Sequence, residues 1–100
     1  AGVAVSAGDL RPEVLAFALA MERKLRANDH KGGWGGCTTG YLRRRLRAEV
    51  RELMKAMDAV RHAQQRLFAS PEQHAAVLDE AADVANFCLM LSDNHGALDR

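Results

Sequence analysis

The chain is poor in the features that mark disulfide-rich, zinc-binding, membrane and secreted proteins. Its only two cysteines, Cys37 and Cys88, show neither a C-x-x-C nor a Cys/His spacing, so we expect free thiols in a reducing compartment. No run approaches the about 18 apolar residues that span a bilayer, and the first ten residues lack the basic and apolar segments of a signal peptide. These absences predict a cytoplasmic protein without a membrane partner.

Proline and net charge are equally scarce. The chain has only two prolines, and 48% of its 100 residues are hydrophobic. This composition predicts an ordered all-α protein rather than a disordered or β-rich one. The formal net charge of +1 gives no overall field that would select nucleic acid or an acidic membrane. The arginine-rich run at 43–47 wraps around its helix without aromatic residues between, which favours a solvated or interface surface over nucleic-acid binding.

Start and stop signals divide the chain into helices that follow a short N-terminal segment. Residues 1–8 are interpreted as a flexible N-terminus or an added remnant, and residues 9–100 as a single helical domain. Pro12 is suited to a first turn and predicts a helix over about 12–27. The segment 28–40 has the glycines and the Asn-Asp step that are typical of a loop, so the first helix ends there.

The second and third helices have start signals of their own. Thr39 is a candidate cap for a helix over about 41–68. Ser70, Pro71 and Gln73 form a capping-box pattern that starts a third helix, which runs to about residue 93. A chain of this size buries only about 60 to 65% of its unfolded surface by folding alone. We therefore expect three main helices per subunit in a bundle that is completed by oligomerisation, as a homodimer or homotetramer.

Two pairs of acids lie in the most apolar helical stretches. Glu49 with Glu52, and Glu80 with Asp83, are each three residues apart, so each pair projects two carboxylates from one face of a helix. Glu49 lies three residues after one apolar position and four before the next, and Glu80 repeats this spacing. Both acids therefore interrupt a packing seam from the inside.

Clustered inward carboxylates point to a metal site. They repel one another and resist desolvation, so a buried seam tolerates them when cations neutralise them. A single inward acid such as Glu49 could instead pair with Arg47 or Arg51. Oxygen ligands favour Mg²⁺, with Mn²⁺ as a substitute, and the lack of a Glu-x-x-His step disfavours a di-iron centre. The other acids, Asp79 and Asp93 among them, are interpreted as solvated or capping charges.

Four segments carry a resemblance to a known family. They are FALAMERKL at 17–25, HKGGW at 30–34, YLRRRLRAEVREL at 41–53 and DEAADVANFCLML at 79–91. In order and spacing they resemble the MazG-like, all-α nucleoside triphosphate pyrophosphohydrolases, particularly the short members found in phages and mobile elements. The family pattern is E-x-x-E followed, after a spacer, by E-x-x-D, and here the two motifs begin at Glu49 and Glu80. The chain departs from the family at Ala48, where many members have a second acid.

The resemblance implies an enzyme of nucleotide-pool housekeeping. Such an enzyme hydrolyses a nucleoside triphosphate between the α and β phosphates and releases a monophosphate and pyrophosphate. The family relation implies that Mg²⁺ is held by Glu49, Glu52, Glu80 and Asp83, and that Glu49 or Glu52 accepts a proton from the attacking water. The base and sugar specificity is left open by the sequence.

Three further residues are candidate substrate contacts. Lys31 and Trp34 lie in the loop before the second helix and could meet a phosphate and stack on a base, although Trp34 could equally cap the core. Asn86 lies one turn after Asp83 on an apolar face, where an amide needs a partner that a sugar or base could supply. The alternative function is a non-catalytic helical interaction or regulatory protein, antitoxin-like, whose acids pair with arginines across an interface.

Overall fold

The computed structural model describes residues 3–99, and these form helices and connecting segments without a strand. The main helices are α1 (Pro12–Ala27), α2 (Thr39–Arg66) and α3 (Pro71–Asn94), and two single 3₁₀ turns cover Ala7–Asp9 and Asp29–Lys31. The prediction of an all-α chain with three main helices is confirmed. Of the N-terminal segment 1–8 that the sequence analysis set aside, the first two residues lie outside the described range.

The helix starts follow from local hydrogen bonding. Ser70 Oγ accepts from the amide of Gln73 at 3.1 Å, and Gln73 Oε1 accepts from the amide of Ser70 at 2.9 Å, which is the predicted capping box. The predicted cap of α2 is wrong by one residue. Thr38 is the cap, since its Oγ1 accepts from the amide of Tyr41 at 3.1 Å, and Thr39 is the first helical residue. Two adjacent threonines offer the same chemistry, and only the backbone decides which one is extended.

The helix ends also differ slightly from prediction. α2 ends at Arg66, two residues earlier than expected, and α3 extends one residue further, to Asn94. Beyond α3, Gly96 adopts a φ of 68°, and its amide donates to the carbonyl of Asp93 at 2.9 Å. A left-handed backbone of this kind ends a helix at little cost only when the residue lacks a Cβ.

α1 and α2 each pack against α3, which is the central helix. The four residues 67–70 connect α2 to α3, and a connection this short makes the two helices antiparallel neighbours with the most extensive contact in the chain. α1 packs against α3 rather than α2. One side of α2 is therefore left without a covering helix in the described chain, and Met57 of α2 is half exposed.

The core of the described chain is small. Its buried apolar side chains are Ala20, Leu42, Ala63, Ala69 and Ala82, of which only Leu42 is large. The accessible surface is 7506 Å², whereas a folded monomer of 10.9 kDa is expected to expose about 5,600 Å². Several large apolar side chains are exposed. Exposed side chains include Val14, Leu15 and Leu19 of α1, Met54 and Met57 of α2, and Leu78 of α3. Even so, no helix within residues 3–99 has the length and apolarity needed to cross a bilayer.

Candidate metal centre and adjoining cleft

Three of the four predicted ligands meet where α2 packs against α3. Glu49 of α2 and Glu80 and Asp83 of α3 each place one carboxylate oxygen within 4.8 Å of the others. Glu49 is largely enclosed, with only 14% of its side chain exposed, against 24% for Asp83. The geometry follows from the spacing of the acids relative to the apolar positions, because that spacing places them on the faces that the two helices turn toward each other.

The fourth predicted ligand, Glu52, lies on the flank of this cluster. A step of three residues turns a side chain about 60° around the helix. On α3 that step keeps both acids beside Glu49, whereas on α2 it turns Glu52 outward, with 51% of its side chain exposed and its Oε1 3.2 Å from Lys55 Nζ. Glu52 remains near enough for its charge to act on Glu80. Its role as a ligand stays a prediction.

The three-acid cluster is electrostatically strained. Burial raises the pKa of Glu80, and the negative charges of Asp83, Glu49 and Glu52 raise it further, while the Lys24 ammonium acts in the opposite direction. A carboxyl group with a raised pKa in the folded state gains from binding either a proton or a cation. The cluster therefore has both the oxygen donors and the charge imbalance that suit a hard divalent ion.

Two cations of the chain itself lie against the cluster. Lys24, from α1, places its Nζ 3.2 Å from Asp79 Oδ2 and 3.3 Å from Asp83 Oδ2. Burial lowers the pKa of Lys24, but the hydrogen bonds and charges of Asp79 and Asp83 outweigh it and leave the pKa raised, so the ammonium stays charged. Asp79 is thus an ion-pair partner as well as a surface acid. Sequence reasoning missed the contact between Lys24 and Asp79 because the two residues are 55 positions apart in the sequence.

The other cation is Arg45, one turn before Glu49 on α2. Its Nη2 lies 2.9 Å from Glu49 Oε1, and its guanidinium carbon lies 5.5 Å from the centre of the Phe87 ring. Arg47 and Arg51, the alternative partners expected for Glu49, are both exposed instead. The i, i+4 spacing of Arg45 and Glu49 was the available signal, since this spacing places two side chains side by side on a helix.

A cleft of about 400 Å³ adjoins the cluster on the side of α1 and the Gly-rich loop. Glu49 and Asp83 line it together with the three candidate substrate residues, Lys31, Trp34 and Asn86. Lys24 and Arg45 also line its wall. Residues predicted separately for metal and for substrate therefore share one cavity.

The Gly-rich wall of this cleft is fastened to the end of α3. Trp34 Nε1 donates to Asp93 Oδ2 at 3.0 Å, and the side-chain amide of Asn94 donates to the Trp34 carbonyl at 2.9 Å. Gly32 has a φ of 87°, a backbone conformation that glycine adopts readily. Trp34 is half buried and also lines the cleft, so core packing and substrate contact do not exclude each other. Asp93, interpreted from the sequence as solvated or capping, positions this ring.

Asn86 presents an unpaired acceptor beside the same cleft. Only 4% of the residue is exposed, and its Nδ2 donates to the Met21 carbonyl at 3.1 Å. Since a carbonyl only accepts, this bond fixes the orientation of the amide. The Asn86 Oδ1 is buried and finds no donor among residues 3–99. The expectation that this amide needs a partner is met on one side only, and the other side calls for an N–H or O–H donor.

Comparison with known proteins found no family model, curated protein or solved structure that matches the chain. The resemblance to MazG-like enzymes stays a prediction that rests on the sequence motifs. The cleft and its acids are consequently the basis of the functional argument.

Proposed function

We propose that the protein is a Mg²⁺-dependent nucleoside triphosphate pyrophosphohydrolase that releases a nucleoside monophosphate and pyrophosphate in nucleotide-pool housekeeping. One observation carries the proposal. Three carboxylates from two helices converge beside a cleft that is also lined by cationic side chains, a tryptophan and Asn86, whose buried amide oxygen finds no donor among residues 3–99. The chemical groups of a nucleoside triphosphate match these side chains. Its phosphates bind metal ions and cationic side chains, and its base binds an aromatic surface and hydrogen-bonding groups.

The acid cluster suits Mg²⁺, with Mn²⁺ as a substitute. Glu49, Glu80 and Asp83 would hold the ion, with Glu52 as the predicted fourth ligand. When bound, the ion would neutralise phosphate charge and lower the pKa of the attacking water. Glu49 or Glu52 would accept the proton of that water. The more exposed position of Glu52, outside the cluster, favours it for this role.

The remaining cleft residues would bind and orient the substrate. Its volume of about 400 Å³ lies within the range of about 300 to 1,000 Å³ that small-molecule pockets show. Trp34 would stack on the base and Lys31 would meet a phosphate. The Asn86 Oδ1 would accept a hydrogen bond from the base or sugar, which satisfies its buried acceptor.

The shape of the single chain supports an oligomer, which we propose to be a homodimer or homotetramer. The accessible surface exceeds that of an average monomer of this mass by about 1,900 Å². A standard interface buries about 800 Å² per partner, so the surplus matches one extensive or two ordinary interfaces. The exposed apolar residues of α1 and α2 give such interfaces their apolar component.

Pyrophosphate release from standard, deoxy and modified nucleoside triphosphates with Mg²⁺ tests the activity. Glu80→Gln should abolish release, since it removes one cluster carboxylate with little change of shape. Asp58→Asn is the matched control, because Asp58 is an exposed α2 acid that pairs with Arg61. If the folded wild-type protein releases no pyrophosphate from any of these nucleotides with Mg²⁺ present, the proposal is contradicted.

A second candidate function is favoured by a separate observation. Arg45 and Lys24 already pair with Glu49 and Asp83, so the acids are partly neutralised by the chain itself. This arrangement, with much exposed apolar surface, also fits a non-catalytic helical interaction protein. Metal binding distinguishes the two functions, because an interaction protein gains no thermal stability from Mg²⁺ or Mn²⁺.

A further inference from the structure

Lys24 belongs at once to the acid cluster and to the cleft. We infer that Lys24 is an internal counter-ion of Asp83 that a divalent cation displaces toward the cleft, where its ammonium binds a phosphate of the nucleotide. Metal and nucleotide would then bind cooperatively. This inference rests on the proposed function and adds a phosphate-binding residue and a binding order that the sequence motifs do not contain.

Lys24 and the three-acid cluster share the carboxylate of Asp83. The Lys24 Nζ lies 3.3 Å from Asp83 Oδ2, and Asp83 supplies one of the three clustered oxygens. A divalent ion held by that carboxylate would meet the ammonium as a like charge at short range. The two cations repel each other there, so occupation of Asp83 by the metal favours departure of the lysine.

The Lys24 side chain has room to move toward the cleft. Its side chain is 28% exposed and lines the cleft, and its four-carbon stem is flexible. Asp79, which lies one turn before Asp83 and outside the cluster, holds the ammonium at 3.2 Å from a second side. Asp79 can therefore retain part of the pairing while the contact to Asp83 opens.

The neighbouring cation, Arg45, is held differently. The Arg45 guanidinium lies over the Phe87 ring as well as beside Glu49, so two contacts hold its position. Within residues 3–99 Lys24 has no such ring contact and is held by the carboxylates of Asp79 and Asp83, so a metal ion on Asp83 takes one of its two contacts. Asn86, which lines the same cleft, has a buried Oδ1 without a donor among residues 3–99, so a polar group is missing next to the cleft.

The test measures binding rather than turnover. Mn²⁺ affinity is measured by calorimetry with wild type, Lys24→Met and Arg61→Met, first alone and then with a non-hydrolysable α,β-methylene nucleoside triphosphate. Lys24→Met should bind Mn²⁺ alone about 5- to 10-fold more tightly, because a charge competing at about 3 Å is removed. With saturating Mn²⁺ it should bind the analogue several-fold more weakly. Arg61→Met removes the same charge from an exposed pair with Asp58 and should change neither affinity.

Asp79→Asn provides an independent variant whose folding is not in question, since Asp79 is 61% exposed. Without the Asp79 carboxylate, Lys24 should stay paired with Asp83 and weaken Mn²⁺ binding about 3-fold. In the Lys24→Met background the effect of Asp79→Asn should be much smaller. Equal Mn²⁺ affinities for wild type, Lys24→Met and Asp79→Asn would overturn the inference and leave the proposed function standing. Absence of Mn²⁺ binding in all of them would overturn the proposed function itself.

Discussion

Replacing Glu80 by glutamine should stabilise the metal-free protein and remove its response to Mg²⁺. Glu80 has oxygen atoms of Glu49 and Asp83 within 4.8 Å. Each like-charge pair at that distance costs about 0.9 kcal/mol in water and about half of this at physiological salt. The substitution also removes the attraction to Lys24 and the cost of desolvating the charge. The net increase in the free energy of unfolding should be about 1 kcal/mol, or about 4 to 8 °C in melting temperature.

The pH dependence of this gain has a definite sign. Because the pKa of Glu80 is raised above its ordinary 4.5, the folded state binds more protons than the unfolded state between those two values. The wild type therefore loses stability as pH rises through this window, and the loss persists at higher pH. The advantage of Glu80→Gln should be absent below about pH 4.5 and full at pH 7.5.

Thermal melts by circular dichroism in EDTA and in Mg²⁺ provide the assay. Mg²⁺ at 100 times its dissociation constant should stabilise the wild type by about 2.7 kcal/mol, and the variant by much less. Asp58→Asn, an exposed acid paired with Arg61, should behave like the wild type in both buffers. A Glu80→Gln variant that melts below the wild type in EDTA, or that gains as much from Mg²⁺, would refute the argument that the three carboxylates form a repulsive cation site.

Four further outcomes are expected. Asp93→Ala should raise the KM for nucleotide several-fold with little change in kcat, and should shift the fluorescence emission of Trp34, the only tryptophan. Unchanged KM and emission would show that the 3.0 Å hydrogen bond from Trp34 to Asp93 does not position the ring. Asn86→Leu should weaken binding of the nucleotide analogue without weakening Mn²⁺ binding, as calorimetry would show, and an unweakened analogue would exclude the Oδ1 as an acceptor. Leu19→Glu should reduce the mass measured by light scattering if α1 forms the interface, since it places a charge on an apolar surface. Glu52→Gln should lower kcat in the pyrophosphate-release assay, and full turnover would remove Glu52 as the proton acceptor.

Local signals were sufficient for the helices. Proline in a first turn, the Ser70 capping box and the loop-forming glycines act over a few residues, so they predicted α1 at its observed bounds and α3 to within one residue. The choice between Thr38 and Thr39 depended on backbone conformation and was missed. The inward direction of Glu49 and Glu80 was also readable, because helical periodicity relates each of them to the apolar residues that pack.

Tertiary structure decided which side chains share the site. Periodicity treated Glu52 and Asp83 alike as second members of their motifs, but only the approach of α3 to α2 determines that Asp83 joins the cluster while Glu52 flanks it. Lys24 reaches Asp83, and Trp34 reaches Asp93, across more than 50 residues of sequence. The sequence by itself determined the helices, their apolar faces and the two acidic motifs, because these follow from interactions within a few turns. The composition of the cleft depended on how three helices pack, since contacts between distant segments arise only when the chain folds.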